Sequence, residues 1–372
     1  MYNLSRTGKL DRNKAAAFAP SGRESRCEMD TTLSELLALS GEPALLVRQG
    51  EIVFANALAR GILGPCLGES AEKLLGAELF LTPARAYVAE ARLKGVTYIL
   101  RVNRLNEGRL IFLRAQEEAP IVINDAFLYS LRSNLMTLGM AADRLRPAAE
   151  DLGLHDMLDD LTALTSGYFK LLRLSENASL VRDCFENRAA FTPVELDMSL
   201  LIHAVLDAVE ETCRDRQFSR DITDSLRLCV DARLVRQLLF NLLSNCMLHS
   251  GASLIRVRLA ETAESAILSV SDNGCGIPAE ELSTVFERYR SREPGSGTGL
   301  GLSAARMVAA LHGGTLLLES RTDQGTSVRA SFSKKTQPGQ FETGETLCTM
   351  REMLTGLADC VPLSCFDERY LD

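Results

Sequence analysis

With 372 residues, 46% of them hydrophobic, the chain can bury two or three cores of ordinary domain size, so more than one domain is expected. A net charge of -8 and the lack of a basic stripe with interleaved aromatics argue against a nucleic-acid partner held by phosphate neutralisation. The ten cysteines have neither CxxC spacing nor companion histidines, which argues against a zinc site or redox pair, and no window of about 18 apolar residues offers a membrane span. A soluble, cytoplasmic protein with reduced thiols is the expectation.

Residues 1–30 are polar, mixed in charge and without period, which predicts a mobile leader. Over 31–117, ALLV and IVFAN flank RQGE as one hairpin, and TYILRVN and RLIFLR flank Asn106-Glu107-Gly108 as another, with helical signal between them. A small α+β domain is expected there. Residues 121–175 hold two helical runs separated by RPAAEDLG. Leu128, Leu131, Leu135, Leu138, Ala142 and Leu145 form a heptad seam in the first, and Leu154, Met157, Leu161, Leu164, Tyr168 and Leu171 repeat it in the second. One seam per helix predicts that the hairpin pairs with a second copy as a four-helix bundle, hence a homodimer.

From 195 to 334, helical patterns at 198–214, 231–249 and 300–312 alternate with strands at 253–260, 266–272, 315–320 and 326–333. This predicts a mixed sheet covered by helices on one face, an α/β sandwich, within an α+β multidomain chain. Residues 335–372 form a tail with one helical stretch near 345–358 and an acidic end.

The candidate chemistry starts in LVRQLLFNLLSNCMLHS, where Val235, Leu239, Leu242 and Cys246 make a stripe and Asn241 and Asn245 lie one turn apart on a neighbouring face. A buried asparagine without partners costs on the order of a few kcal/mol, so something polar must face them; carbonyl oxygens suit Mg2+ and amides suit phosphate oxygens. In AILSVSDNGCGIP, alternation carries Asp272 inward after Leu268 and Val270. A planar ligand with an exocyclic amine, such as adenine, would satisfy that carboxylate, and Gly274 and Gly276 let the backbone turn closely around it. GSGTGLGLS then puts glycines 295, 297, 299 and 301 at the start of a helix, where free N–H groups and the helix dipole suit phosphate. It fits neither the P-loop nor the GxGxxG pattern.

The order Asn241-x-x-x-Asn245, Asp272-x-Gly274-x-Gly276, Gly297-x-Gly299-x-Gly301, then Gly325-Thr326-Ser327, resembles the GHKL-type ATP-binding domain of sensor histidine kinases, whose wider superfamily includes gyrase, Hsp90 and MutL. About 140 residues carry the resemblance. It implies that Asn241 and Asn245 hold Mg2+ and the phosphates of ATP, that Asp272 reads the adenine amine, and that the glycines and Thr326 line the nucleotide. Phe286 and Tyr289 look like the family's aromatic box, with Arg288, Arg290 and Arg292 within reach of phosphates. Hydrolysing branches carry glutamate at position 241 as base for water, so the asparagine points to the kinase branch. Leu248-His249 stand where the family usually has Lys-Tyr or Lys-Phe, which removes one phosphate contact.

In the same family the preceding hairpin carries the phosphoacceptor histidine in His-Glu-Leu-Arg-Thr-Pro-Leu. The matching residues here are Tyr129-Ser130-Leu131-Arg132-Ser133-Asn134-Leu135, without the histidine or the acid. The chain's histidines are at 155, 203, 249 and 312, none of them at that position. Tyr129 lies outside the seam, and a phenol with a pKa of about 10 is a poor nucleophile without a base. The expectation is a histidine-kinase-like signalling pseudokinase that binds Mg-ATP. The alternative is an active kinase, on Tyr129 or in trans, or a phosphatase of a response regulator in which Ser133 positions water. The partners expected are a second copy and a response regulator or partner kinase. Residues 31–117, through Ile52-Val53-Phe54-Ala55-Asn56, resemble a PAS sensor domain.

Overall fold

After a short helix α1 over 33–38, strands β1 (Ala44–Arg48), buried on both faces from Ala44 to Val47, and β2 (Glu51–Ala55), buried at Ile52 and Ala55, pair as a hairpin. The computed structural model describes residues 33–80, 84–115, 124–278, 281, 282, 285, 299–336 and 346–367. Helices α2 (Ala57–Leu63) and α3 (Ala71–Leu75) follow, then strands β3 (Ala86–Leu93), β4 (Val96–Leu105) and β5 (Gly108–Ala115). The five strands are antiparallel in the order β2-β1-β5-β4-β3. Leu45, Ile52, Leu100, Ile111 and Leu113 fill the core beneath them. Asn56 closes this unit. Its Oδ1 accepts from the N–H groups of Ala44 (3.1 Å) and Ala59 (2.9 Å), capping α2, while its Nδ2 donates to the carbonyls of Leu37 and Glu42. Every polar atom of a buried side chain is thereby used.

The helical hairpin comprises α4 (Asp125–Asp151) and α5 (His155–Phe185). Pro147 lies inside α4, and the break comes only at Gly153, whose φ of 65° suits glycine. The second helix runs ten residues past the expected 175. The apolar period weakens there because Ser175, Asn177, Ser179 and Arg182 are buried among Ala178, Leu180 and Val181, and these polar side chains find partners on neighbouring elements. Arg132 donates to Ser175 Oγ (2.8 Å) and Ser179 Oγ (2.7 Å), and Asn177 bonds residues of a later helix. Half of the heptad seam is covered within the chain, at Leu128, Leu135, Ala142, Leu161 and Tyr168; Leu138, Leu145, Leu154, Leu164 and Leu171 are exposed.

A second unit follows: β6 (Val194–Asp197), α6 (Met198–Thr212), β7 (Gln217–Ile222), β8 (Arg227–Val230), α7 (Ala232–His249), β9 (Leu254–Glu261), β10 (Ser265–Asp272), α8 (Gly301–Leu311), β11 (Leu316–Arg321) and β12 (Gly325–Ser333). Its main sheet has the order β11-β12-β10-β9-β7, antiparallel except for β7 on β9; β6 and β8 pair separately. Helices α6, α7 and α8 share its core with Leu268, Val270 and Phe332. A bridge from Leu318 on β11 to Val88 on β3 joins both main sheets into one of ten strands. Behind that bridge Arg306 of α8 forms an ion pair with Glu90 of β3.

His312 ends α8 fully buried between the rings of Phe191 and Phe332. Its Nε2 accepts from Asp231 N–H (3.0 Å), so the proton sits on Nδ1 and is donated to the Val308 carbonyl (2.8 Å). Burial pushes its pKa below the ordinary 6.5, against the opposing Val308 bond and the Asp231 charge. The unfolded chain therefore binds a proton that the folded chain refuses. The stability this group provides is whole above pH 6.5 and is lost as pH falls below it. Thermal melts from about pH 7.5 to about pH 5.5 should fall more steeply for the native chain than for His312→Gln.

The tail does not hang free. Helix α9 (Met350–Leu357), begun by a capping box of Thr349 and Glu352, and a short 3-10 turn at Leu363–Phe366 lie across α5 and α7. Met353, Leu354, Leu357 and Phe366 are fully buried. Gly356 is required where α9 meets α7, since a Cβ there would sit 2.3 Å from the Phe240 ring.

Candidate functional site

Asp231 starts α7 by accepting from Leu234 N–H (3.1 Å), and the helix is then buried almost all round. The sheet, α8 and α9 pack around it and α5 reaches it through polar side chains, so the amphipathic stripe seen in the sequence is only part of the buried surface. The two asparagines of α7 have different surroundings. Asn241 is 2% exposed and locked to α5: its Oδ1 accepts from Asn177 Nδ2 (3.1 Å) and Arg173 Nη2 (3.3 Å), and its Nδ2 donates to Asn177 Oδ1 (3.0 Å). Asn245 lines a cavity instead, and its buried Nδ2 has no hydrogen-bond partner among the described residues.

That cavity, of about 380 Å³, has Asn245, Asp272, Gly276, Gly299, Gly301 and Thr326 among its lining residues. Asn241 is not in its wall but lies just behind it, with Oδ1 3.5 Å from where a Cβ on Gly301 would be. Asp272 Oδ1 accepts from Gly274 N–H (2.8 Å) and Thr326 N–H (3.3 Å), so the carboxylate pins the loop after β10 to the start of β12. The Cys246 thiol sits beside it. Burial first, and then the Asp272 charge, push that thiol far up, keeping it a protonated donor.

The glycines around Asp272 serve the protein's own backbone. A Cβ on Gly274 would meet the Ser250 carbonyl at 2.2 Å; one on Gly276, at φ 68°, would meet the Arg321 carbonyl at 1.9 Å. Gly325, at φ 82°, lies equally close to the Asp272 carbonyl. Gly276→Ala should therefore lower unfolding free energy by about 2–3 kcal/mol in urea titration, through left-handed strain and a backbone contact that cannot yield. Gly295, Gly297, Phe286, Tyr289, Arg288, Arg290 and Arg292 lie outside the described residues, as does the 1–30 leader.

Residues 230–336 match the family described as "Histidine kinase-, DNA gyrase B-, and HSP90-like ATPase". That match, under a third of the chain, places a domain similar to this broad ATPase group at residues 230–336. The sensor histidine kinase YvrG of Bacillus subtilis is 32% identical over 155 residues, covering 38% of this chain and 27% of that protein. The adaptive-response sensory kinase SasA of Synechococcus sp. is 30% identical over 236 residues, 59% of this chain and 60% of that one. The chain thus spans less than two thirds of the length of these curated relatives. A solved structure of the histidine kinase ThkA in complex with the response regulator protein TrrA aligns with 81% of this chain and 98% of that one, at 19% identity and a TM-score of 0.38.

On the ATPase domain the candidate residues Asn245, Asp272, Gly276, Gly299, Gly301 and Thr326 come together, while Asn241 turns toward α5 and Gly274 packs under Ser250. Sequence reasoning missed Lys170 and Arg173, which enter the same cavity from α5, and Asp359 from the segment after α9. The usable signal was the polar run Ser175-Glu176-Asn177 inside a helical period, which requires polar partners opposite it. Tyr129 stands on α4 at 78% exposure. Among the described residues no helix is long and apolar enough to cross a membrane.

Proposed function

We propose that the ATPase domain binds Mg2+-ATP within a histidine-kinase-like signalling protein that acts as a pseudokinase. The observation that carries this is the unpartnered Asn245 amide in a cavity shared with Asp272, Thr326 and the Gly299–Gly301 backbone. An orphaned buried amide costs on the order of 1–3 kcal/mol, which a phosphate oxygen would recover. Asp272 Oδ1 is already spent on two N–H groups, leaving Oδ2 to accept from the adenine amine. Gly299 and Gly301, at the start of α8, fit phosphate through backbone N–H groups. Asn245 and Asn241 supply carbonyl oxygens suited to Mg2+, whose chemistry when bound is to neutralise phosphate charge. For Asn241 to take part, its amide pair with Asn177 must open. Nucleotide binding is thereby coupled to how α5 sits on α7.

Phosphoryl transfer is where the chain departs from a kinase. Tyr129 is exposed on α4, and its neighbour Ser130 is no general base. The output proposed is a change in hairpin geometry felt by partners. The exposed half of the seam, at Leu138, Leu145, Leu164 and Leu171, supports a homodimer through a four-helix bundle, and the family resemblance supports a response regulator or partner kinase as a further partner. The strand order β2-β1-β5-β4-β3, with helices between β2 and β3, supports a PAS-like sensor unit at 31–117.

Incubation with radiolabelled Mg-ATP tests the reading. ATP binding without covalent label is the expected result. Acid-stable label lost in Tyr129→Phe would replace the pseudokinase with a tyrosine autokinase. Saturating ATP, at about a hundred times its Kd, should stabilise the native chain by about 2.7 kcal/mol, and Asn245→Ala should abolish that shift in thermal melts.

A further inference from the structure

We propose that helix α5, which lies outside the matched ATPase residues, completes the phosphate end of the nucleotide site with Arg173 and Lys170. The inference rests on the Mg2+-ATP reading above. Among the described residues lining the cavity, these are the only lysine and arginine. The wall formed by α7 presents Leu242, Cys246, Leu248 and His249, so it brings no lysine or arginine of its own. A triphosphate needs fixed cations, and a guanidinium fork is well suited to phosphate oxygens.

The placement is specific. Arg173 and Leu174, three and four residues after Lys170, put one face of α5 along the cavity. The Arg173 side chain is 12% exposed and its Nη2 lies 3.3 Å from Asn241 Oδ1, which marks the end of the cavity near Gly301 rather than the end near Asp272. Lys170 is exposed and has no partner among the described residues. Arg173 Nη1 is held by Asp359 Oδ2 at 2.9 Å, and Asp359 is itself in the cavity wall. A carboxylate thus occupies the guanidinium that a phosphate would take. In the bound state Arg173 turns from Asp359 to the ligand, and Asp359 opposes binding by like charge.

Calorimetric titration of the full chain with ATP and with adenosine, both with Mg2+, separates the possibilities. Lys170→Gln and Arg173→Gln should each weaken ATP about tenfold and leave adenosine unchanged, as expected for one charge-assisted hydrogen bond. Asp359→Asn should do the opposite, tightening ATP several-fold. Arg173→Lys keeps the cation beside Asp359 and should retain most of the ATP affinity, while Lys170→Gln alters an exposed side chain without partners and should fold normally. ATP affinities within twofold of native in both glutamine variants, or adenosine weakening in step with ATP, would overturn the inference while leaving ATP binding intact. A native chain that binds neither ligand would overturn the Mg2+-ATP reading itself, and this inference with it.

Discussion

Replacing Glu90 by alanine should cost about 3–5 kcal/mol of unfolding free energy, because it strands the Arg306 guanidinium at 4% exposure between two domains. The Glu90 carboxyl is itself pushed up by burial, with Arg306 opposing that shift. The two deletions are therefore unequal. Arg306→Met leaves a carboxyl that can take a proton and become neutral, whereas Glu90→Ala leaves a cation that cannot shed its charge. Urea titration of both singles and of Glu90→Leu/Arg306→Met should show Glu90→Ala as the worst and the double close to native, since an apolar pair suits the site as well as an ion pair. A loss below about 1 kcal/mol in Glu90→Ala would mean that the β3–β11 junction opens and hydrates Arg306.

Phe366→Ala should be comparably severe, at about 3–5 kcal/mol, because the ring is fully buried against Phe169 with centroids 5.7 Å apart. The loss is more than a cavity. The Phe366 carbonyl accepts from Arg146 Nη2 (3.0 Å), Asp367 accepts from Thr162 (2.9 Å), and Arg236 of α7 pairs with Glu352 of α9 (2.9 Å). These contacts bind both helices of the hairpin, and α7, to one segment. Hydrogen exchange read by peptide should show α5 and α9 losing protection together in Phe366→Ala while β9, β10 and β12 keep theirs. Uniform loss across the sheet would contradict the view of the segment as a strap on the hairpin.

Local pattern was a good guide where local rules decide. The strand expected over 266–272 is Ser265–Asp272, and the helix over 231–249 is Ala232–His249, because alternation and an aspartate cap are read from neighbouring residues. It failed where a buried face is polar. Ser175, Asn177 and Arg182 are buried within α5 and weaken the apolar period, so the helix seemed to stop at 175. The burial of α7 under α9 was equally hidden, since partners more than a hundred residues apart leave no mark in a window of sequence. The site divides the same way. Asn245, Asp272 and Thr326 follow from motif order, whereas Arg173, Asn177 and Asp359 come from other parts of the chain.

The strap joins Arg146 to Phe366 across 220 residues. Contacts that distant are entropically expensive to close and form late, after local helices and the sheet are in place. During synthesis α5 and α7 therefore exist before the segment that clamps them, with Phe169 and the outer face of α7 lacking their cover. Until residues 346–367 dock, the hairpin is held to the ATPase domain by its own contacts alone, among them the Asn177–Asn241 amide pair, and docking adds the Phe366 and Arg146 contacts to these.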